Sequence, residues 1–296
     1  LHILATTGSD QAGNLILGDV AYERFLESSR KQESQVLKPS RLEEAYPGMA
    51  SEALAFGHAG SSAGGEFPKF TACRMIDGEP RHVIVKFSGA GTSAAETRWA
   101  DLLVCEHIAL DCMRERLQVP AASSALHKLA GRTFLEIVRF DRHGLLGRSE
   151  ICSLSSIRAA LVGSAETGWP VITRSLLASR LLDDAQAGIV DRSWWFGRLT
   201  GNTDMHPGNL SFVPGLVVAP AYDMLPMMYS PSRGGELPGA AFVVAEPLPR
   251  ERGAWQAAAA VAVDYWRRCA SDARVSDGFR TVCTENSSLL AKALNA

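Results

Sequence analysis

The sequence predicts an α+β fold of two lobes, in which a β-rich N-terminal lobe precedes a mainly helical C-terminal lobe. Three segments of the first half are rich in β-branched and aromatic residues, whereas the second half has apolar residues at helical spacing. The strand-like segments are residues 70–75, 82–87 and 133–140, and the helical segments are residues 153–199, 255–270 and 279–294. A chain of 296 residues is also too long for a single small hydrophobic core. We therefore place the two lobes at residues 1–138 and 139–296.

The first part of the N-terminal lobe has no clear periodic pattern. Residues 8–18 are polar and rich in glycine, and residues 27–44 are charged without a sustained apolar period. We expect a small N-terminal segment and a poorly packed linker there. At residues 57–65 the sequence GHAGSSAGG then leads into the first strand, as a glycine-rich loop does.

The clearest helix of this lobe is expected at residues 95–116, with one stripe of apolar side chains. The stripe comprises Trp99, Leu102, Leu103, Ala109, Leu110 and Met113. Glu106 lies at its centre, where an unpaired carboxylate is costly to bury. Lys86, in the apolar strand just upstream, is its expected partner. The alternative is that Lys86 extends out of an edge strand and Glu106 lies at the rim of the stripe.

Polar residues surround a predicted β-hairpin in the C-terminal lobe. Two short strand-like segments flank a Pro-Gly turn, with Asp204 on the loop before them. If Val213 pairs with Leu216, antiparallel register makes Asn209 and Asp223 emerge at the same end of the hairpin. Three oxygen-bearing side chains then converge on a small volume.

These three side chains are the kinds that phosphoryl transfer requires. Asp204 can orient and deprotonate an attacking hydroxyl, while Asn209 and Asp223 hold Mg²⁺ against phosphates. A strand lysine paired with a helix glutamate, as expected for Lys86 and Glu106, positions a phosphate-binding lysine in kinases. The sequence therefore predicts an ATP- and Mg²⁺-dependent phosphotransferase with a protein-kinase-like fold. The alternative is that the three residues only cap a helix and two turns.

The glycine-rich loop adds a phosphate-binding element to this prediction. Small residues let backbone N–H groups approach phosphates closely. The loop matches neither G-x-x-x-x-G-K-[ST] nor G-x-G-x-x-G, which argues against P-loop and dinucleotide-binding proteins. Taken alone, it is equally compatible with a linker. For His206, beside Asp204 in the sequence, we expect a structural hydrogen-bonding role rather than direct catalysis.

Composition excludes several other classes of function. With 30 Lys and Arg against 32 Asp and Glu, no overall charge attracts nucleic acid or an anionic membrane. No apolar run approaches the roughly 20 residues that span a bilayer, and the polar N-terminal residues do not resemble a signal peptide. The cysteines have irregular spacing without a C-x-x-C pair, so we expect buried, reduced thiols in a cytoplasmic protein. They are Cys73, Cys105, Cys112, Cys152, Cys269 and Cys283.

Five motifs in order resemble the HipA family, the toxin-type serine/threonine kinases of bacterial toxin–antitoxin systems. They are GSSAGGEFPKF (residues 60–70), VIVKF (83–87), VRFDR (138–142), GNTDMHPGNLSF (201–212) and APAYDMLP (219–226). The resemblance extends from about residue 57 to the C-terminal helices. It implies a serine/threonine protein kinase that transfers the γ-phosphate of ATP to a protein hydroxyl.

The resemblance also implies roles for individual residues. Asp204 corresponds to the catalytic base, Lys86 to the phosphate-contacting lysine, and Asn209 and Asp223 to the Mg²⁺ ligands. Either Ser61 or Ser62 corresponds to the serine whose autophosphorylation inhibits the family's kinases. The remaining residues expected around ATP lie in the glycine-rich loop, at the start of the first strand, in the helix at residues 95–116, in the strand at residues 133–140 and in the expected catalytic loop, residues 204–209. They are Gly60, Gly64, Gly65, Lys69, Glu106, Val138, Phe140 and His206.

The resemblance also implies partners, and the sequence leaves two other functions open. The resemblance implies a protein substrate, with an aminoacyl-tRNA synthetase as one candidate. It also implies either a separate DNA-binding antitoxin or a DNA-binding segment upstream. One alternative is a small-molecule kinase of the aminoglycoside-phosphotransferase type, which shares the Asp-to-Asn spacing. Another is a nucleotide-binding pseudokinase that acts as an interaction subunit, although every catalytic position carries a competent residue.

Overall fold

A four-stranded antiparallel sheet forms the first half of the fold. The structure, a computed structural model, describes residues 10–55 and 67–296, and for residues 31–35 the backbone only. The strands are β1 (Lys69–Ile76), β2 (Glu79–Phe87), β3 (Ser124–Leu129) and β4 (Arg132–Val138), in the spatial order β1-β2-β4-β3. Three of them match predicted strands, and β3 was not predicted. Lys86 pairs with Lys69 on one side and with Leu135 on the other. Lys86 therefore lies on a central strand, which excludes the edge-strand alternative.

Two helices precede the sheet, where we expected a poorly packed linker. Helix α1 spans Asp19–Gln35 and helix α2 spans Leu42–Ala55. Helix α2 buries Tyr46 and Ala50 against one face of the sheet, in a cluster with Phe87 and Phe134. The linker prediction was wrong because a helix that buries few side chains needs only a few apolar residues, which leave no sustained periodic pattern.

The buried apolar side chains of helix α3 (Ala94–Glu115) lie in one hydrophobic cluster with residues of the sheet and of the C-terminal helices. The helix begins at Ser93, whose hydroxyl accepts a hydrogen bond from the Glu96 N–H at 3.2 Å, while the Glu96 carboxylate accepts one from the Ser93 N–H at 3.3 Å. This reciprocal cap fixes the start of the helix. Leu102, Leu103 and Leu110 are fully buried in the larger hydrophobic cluster.

The second half of the fold is mainly helical, as predicted. Its helices are α4 (Leu154–Ile157), α5 (Trp169–Ala178), α6 (Asp184–Leu199), α7 (Arg252–Ser271) and α8 (Asp277–Leu294). Buried aromatic residues of α7 and α8, including Trp266 and Phe279, pack in the same cluster as Leu135 of β4. The core is therefore continuous between the sheet and these helices. The lobe boundary between residues 138 and 139 stays a prediction.

The predicted hairpin is present, but its register differs by one residue. Strands β8 (Ser211–Val213) and β9 (Val217–Val218) pair through Val213 and Val217, not through Val213 and Leu216. Gly215 and Leu216 both have left-handed backbone conformations, with φ of 86° and 56°. The turn therefore takes three residues instead of two. Strand β8 also pairs with β7 (Cys152–Ser153), and β5 (Arg142–His143) pairs with β6 (Gly147–Arg148).

The cysteines and the membrane prediction are also addressed by the structure. All six cysteines are free thiols, and four of them are buried. Cys73 is half-buried and Cys152 is exposed, so burial was predicted correctly for only part of the set. Within the residues that the structure describes, no helix is both long enough and apolar enough to cross a membrane.

Candidate active site

Lys86 lies between two carboxylates in a buried position. Its Nζ donates hydrogen bonds to Glu106 Oε1 and Oε2 at 2.7 and 2.8 Å, and it also contacts Asp223 Oδ1. The side chain of Glu106 is fully buried, whereas that of Asp223 keeps 34% of its surface exposed. The sequence predicted the first pair from the charge in the middle of an apolar stripe. Contact with Asp223 extends the pair to a triad that joins β2, α3 and the segment after β9.

Electrostatics keep this lysine charged. Burial lowers the pKa of Lys86, but the charges of Asp223 and Glu106 outweigh this effect and raise the pKa above its ordinary value. Burial raises the pKa of Asp223, yet Lys86 holds it below the ordinary value for an aspartate. For Glu106 burial dominates, and its pKa is raised even though Lys86 opposes the shift. The site thus presents a fixed cation beside a partly exposed carboxylate.

The loop of residues 204–209, predicted from the sequence to be the catalytic loop, places Asp204 and Asn209 next to each other. The Asn209 side-chain amide donates to the main-chain oxygen of Asp204 at 2.9 Å. Because this bond uses the amide nitrogen, the Asn209 Oδ1 is the atom left to act as a metal ligand. The Asp204 side chain is 54% exposed, and its Oδ1 lies 4.0 Å from Nε2 of His206. Asp204 is therefore accessible to an incoming hydroxyl group.

Asn202 connects this loop to Asp223, a role that the sequence analysis missed. Its Oδ1 accepts a hydrogen bond from the Asp204 N–H at 3.0 Å, and its Nδ2 donates to the Asp223 main-chain oxygen at 3.0 Å. Asn202 is buried, with 7% of its surface exposed. The only signal in the sequence was its place in the GNTDMHPGNLSF motif.

The backbone at Asp223 is held in an uncommon conformation. Its φ is 53°, in the left-handed region that aspartate and asparagine tolerate better than most residues. The preceding Tyr222 anchors it, because its hydroxyl bonds with Ser211 Oγ at 2.7 Å and donates to the Gly208 oxygen at 3.0 Å. Burial raises the pKa of Tyr222 to about 12, so the hydroxyl stays a hydrogen-bond donor. The hairpin and the catalytic loop thus fix the position of Asp223.

His206 has a local structural contact. Its Nδ1 accepts a hydrogen bond from the Gly208 N–H at 3.0 Å, at the start of the short helical turn Pro207–Asn209. Its side chain is 56% exposed. Trp169 Nε1 donates to the His206 main-chain oxygen at 3.0 Å, which attaches this turn to α5. The residue orders the loop that carries Asp204 and Asn209.

A cavity of about 370 Å³ opens beside the lysine and its carboxylates. Lys69, Lys86 and Asp223 line it, together with the consecutive residues 138–141. The Phe140 ring lies 6.1 Å from the Tyr222 ring. The lining thus combines charged side chains with apolar and aromatic ones, a composition that suits a phosphate chain attached to a planar base.

A second cavity of about 630 Å³ borders the loop that carries Asp204. Asp204 and His206 line it, together with Trp194, Arg198 and Phe242. Asp204 thus borders a space wide enough for a substrate side chain and its neighbours.

The donor atoms fit a hard cation. Asn209 and Asp223 offer amide and carboxylate oxygens, which Mg²⁺ prefers, and Mg²⁺ sites use one or two carboxylates with phosphates and water. Within the described ranges, no three His, Cys, Asp or Glu side chains gather as a metal site. The predicted phosphate-loop residues Gly60, Ser61, Ser62, Gly64 and Gly65 lie outside the described residues.

Comparisons with known proteins identify the family of the chain. The family model of the HipA-like C-terminal domain matches residues 61–286. A relative, Toxin YjjJ of Escherichia coli (strain K12), is 35% identical over 288 residues, which are 96% of this chain and 64% of the relative. The chain thus spans less than two thirds of the length of this curated relative.

Two solved structures were also compared with this chain, and the first of them shares its fold. A chain in the complex of HipA, HipB and operator DNA from Shewanella oneidensis MR-1 superposes with a TM-score of 0.55 at 15% identity, covering 99% of this chain and 77% of that one. The proinflammatory kinase CtkA of Helicobacter pylori matches with a TM-score of 0.49 at 11% identity, covering 77% of this chain and 95% of that one. The family resemblance found in the sequence is thereby confirmed, and the chain belongs to the HipA-like C-terminal domain family.

Proposed function

We propose that the protein is an ATP- and Mg²⁺-dependent serine/threonine protein kinase. The observation that carries the proposal is the connection from Lys86 through Asp223 and Asn202 to Asp204. It joins a buried, protonated lysine and a metal-binding carboxylate to an exposed carboxylate. In phosphoryl transfer these groups bind phosphate, hold the cation and receive the proton of the acceptor.

Each residue then has a distinct task. Lys86 binds phosphate oxygens, and Glu106 keeps its ammonium group in place at the end of β2. Asn209 Oδ1 and the Asp223 carboxylate would hold Mg²⁺, which would neutralise charge on the phosphates. Val138 and Phe140, which line the cavity, would contact the adenine base.

Asp204 acts on the acceptor. It orients a serine or threonine hydroxyl that enters from the second cavity and accepts its proton. The bond between the γ-phosphorus and its bridging oxygen breaks, a bond from the acceptor oxygen to the γ-phosphorus forms, and ADP leaves. Because Asn202 bonds to both the Asp204 N–H and the Asp223 oxygen, the acceptor side and the metal side are held at a fixed separation.

The direct test is transfer of radiolabelled γ-phosphate by the purified protein, alone and with cell lysate. Wild-type protein should label protein bands in the presence of Mg²⁺, and Asp204→Asn should not. Labelling of a small molecule instead of protein would favour the phosphotransferase alternative. Nucleotide binding without any transfer would support the pseudokinase alternative and exclude the proposal.

The biological role that we propose is that of a toxin in a toxin–antitoxin system. The similar protein of Escherichia coli is named a toxin, and the similar Shewanella protein was solved with HipB and operator DNA. By analogy, we propose a DNA-binding antitoxin, or a DNA-binding segment in the same polypeptide, as partner. An aminoacyl-tRNA synthetase is the first candidate substrate to assay, and the cytoplasm is the compartment in which such a kinase would act.

Autophosphorylation is part of the proposed function. A phosphate on Ser61 or Ser62 would add about −1.5 to −2 charges where the nucleotide phosphates must bind, and would repel them. Mass spectrometry of wild type and Asp204→Asn after incubation with Mg²⁺-ATP tests this step. If neither serine gains phosphate in wild type, or if the Ser61→Asp, Ser62→Asp double variant binds ATP normally, autophosphorylation does not inhibit the protein in this way.

A further inference from the structure

A segment near the N-terminus borders the cavity that we assign to the nucleotide. Ala12 is among the residues that line it, beside Val138 and Phe140. The backbone of Gly13 is buried and packs against Ile151, another lining residue, so closely that a Cβ at Gly13 would lie 3.3 Å from Ile151 N and Cγ1. The segment of residues 10–14 therefore contributes to the wall of the cavity through Ala12 and through the contact of Gly13 with Ile151.

Two buried arginines clamp this segment to the strand that follows the sheet. Arg139 Nη1 and Arg142 Nη2 donate to Asp10 Oδ1 at 2.8 and 2.9 Å. Arg142 also donates to the main-chain oxygens of Gln11 and Gly13, each at 2.7 Å. The side chains of the two arginines are only 6% and 2% exposed. Charge-assisted bonds in such a dry environment hold the backbone in one position.

Asp141 completes the clamp from the other side. Its Oδ2 accepts a hydrogen bond from the Gly13 N–H at 2.8 Å, and its carboxylate also pairs with both arginines at 2.8 to 2.9 Å. Burial raises the pKa of Asp141, but hydrogen bonds and charge from Arg139 hold it below the ordinary value. The carboxylate is therefore ionised, and each arginine has two carboxylate partners.

The clamp is continuous with the cavity wall. Arg139 and Asp141 themselves line the cavity, beside Val138 and Phe140. Any shift of residues 10–14 must move Arg139 or break its bonds. The position of the segment and the shape of the cavity are thus coupled.

We propose that residues 10–14 form the outer wall of the nucleotide site, and that the Arg139–Asp141–Arg142 clamp makes nucleotide affinity depend on their docking. This wall lies upstream of the region that the family model matches, residues 61–286. The inference rests on the proposed function, because the ligand is taken to be ATP. Docking excludes water from the base, and by reciprocity the bound base stabilises docking.

A matched pair of glycine substitutions tests the wall. Gly13 and Gly78 have nearly the same left-handed φ, 79° and 81°, so alanine is strained equally at both. Only at Gly13 does the new Cβ meet the cavity wall, since nothing lies within 4 Å of one at Gly78, in the β1–β2 turn. In calorimetry with Mg²⁺ and AMP-PNP, a nonhydrolysable ATP analogue, Gly13→Ala should weaken binding about tenfold, or ~1.4 kcal/mol. Gly78→Ala should bind like wild type.

Asp10→Asn provides a second variant that adds no steric strain. It removes the carboxylate charge shared by both arginines and should weaken AMP-PNP binding in the same direction. Hydrogen–deuterium exchange of the wild type should show that AMP-PNP slows exchange of the Gly13 amide, as reciprocal coupling requires.

The outcomes separate this inference from the proposed function. If wild type does not bind AMP-PNP, the assignment of the nucleotide site is wrong, and the proposal that residues 10–14 form its wall is wrong as well. If wild type binds and Gly13→Ala and Asp10→Asn bind equally well, the wall is overturned while the kinase proposal stands. If hydrogen–deuterium exchange of residues 10–14 is the same with and without AMP-PNP, the coupling is likewise overturned.

Discussion

Asn202 donates its side-chain amide to the main-chain oxygen of Asp223 at 3.0 Å. The same side chain accepts a hydrogen bond from the Asp204 N–H, so a single buried amide joins the proposed base to the proposed metal ligand. Since the Asp223 backbone has a positive φ of 53°, it needs support from its surroundings. Asn202 provides part of that support.

We expect Asn202→Ala to lower both stability and phosphoryl transfer. Both of its hydrogen bonds are lost, and a buried group left unpaired costs about 1–3 kcal/mol. Transfer should fall by more than nucleotide affinity, because the separation between Asp204 and Asp223 is no longer fixed. Denaturant unfolding and steady-state kinetics measure the two effects. Transfer at the wild-type rate in Asn202→Ala would contradict the bridging role.

Asp204→Asn should preserve the fold and the nucleotide affinity while transfer falls by at least about 10²-fold, as is typical for loss of a general base. The substitution keeps the size of the side chain and removes its ability to accept a proton. Calorimetry with Mg²⁺-AMP-PNP gives the binding control. Near-normal turnover in this variant would exclude Asp204 as the base.

The part of the site that the sequence predicts best depends on local pattern. A glutamate in the middle of an apolar helical stripe requires a partner, and the strand lysine upstream supplies it at 2.7 Å. The D-x-x-x-x-N spacing and the hairpin likewise place Asp204 and Asn209 on one loop. In each case the relevant residues are close in sequence or belong to one periodic element.

What the sequence did not predict depends on distant contacts or on single backbone angles. The Gly13–Asp141 hydrogen bond joins residues 128 positions apart, and no local pattern signals it. The hairpin register shifted because Leu216 adopts a left-handed conformation, which a leucine rarely does. Strand β3 has no alternating apolar pattern, since its side chains are mostly half-buried with Lys128 exposed. Its pairing with β4 decides its structure.

Two variants test the metal assignment. Asn209→Ala removes an oxygen ligand, and Asp223→Asn removes a charge while keeping a residue that tolerates a positive φ. Each should weaken Mg²⁺-dependent AMP-PNP binding and reduce the difference between titrations with Mg²⁺ and with EDTA. Calorimetry under both conditions measures that difference. If both variants retain the metal dependence of wild type, these two residues do not hold the cation.

The Lys86–Glu106 pair allows a double-mutant cycle that separates stability from activity. Lys86→Met leaves the fully buried Glu106 without its cation, and breaking a buried pair from one side typically costs about 3–5 kcal/mol. In Lys86→Met, Glu106→Leu, both charges are gone and apolar groups of similar length replace them, which is often nearly neutral. Asp223 loses the same cation in both variants, but its 34% exposure gives its carboxylate access to water.

The double variant should therefore recover most of the stability lost in Lys86→Met while transfer remains absent, because the phosphate-binding ammonium is still missing. Denaturant unfolding and γ-phosphate transfer assays measure the two quantities. Lys128→Met, the same substitution at an exposed lysine on β3, is the matched control and should change neither by much. Stability losses that simply add in the double variant would show that Lys86 and Glu106 are not energetically coupled. Recovered transfer would show that Lys86 does not bind phosphate.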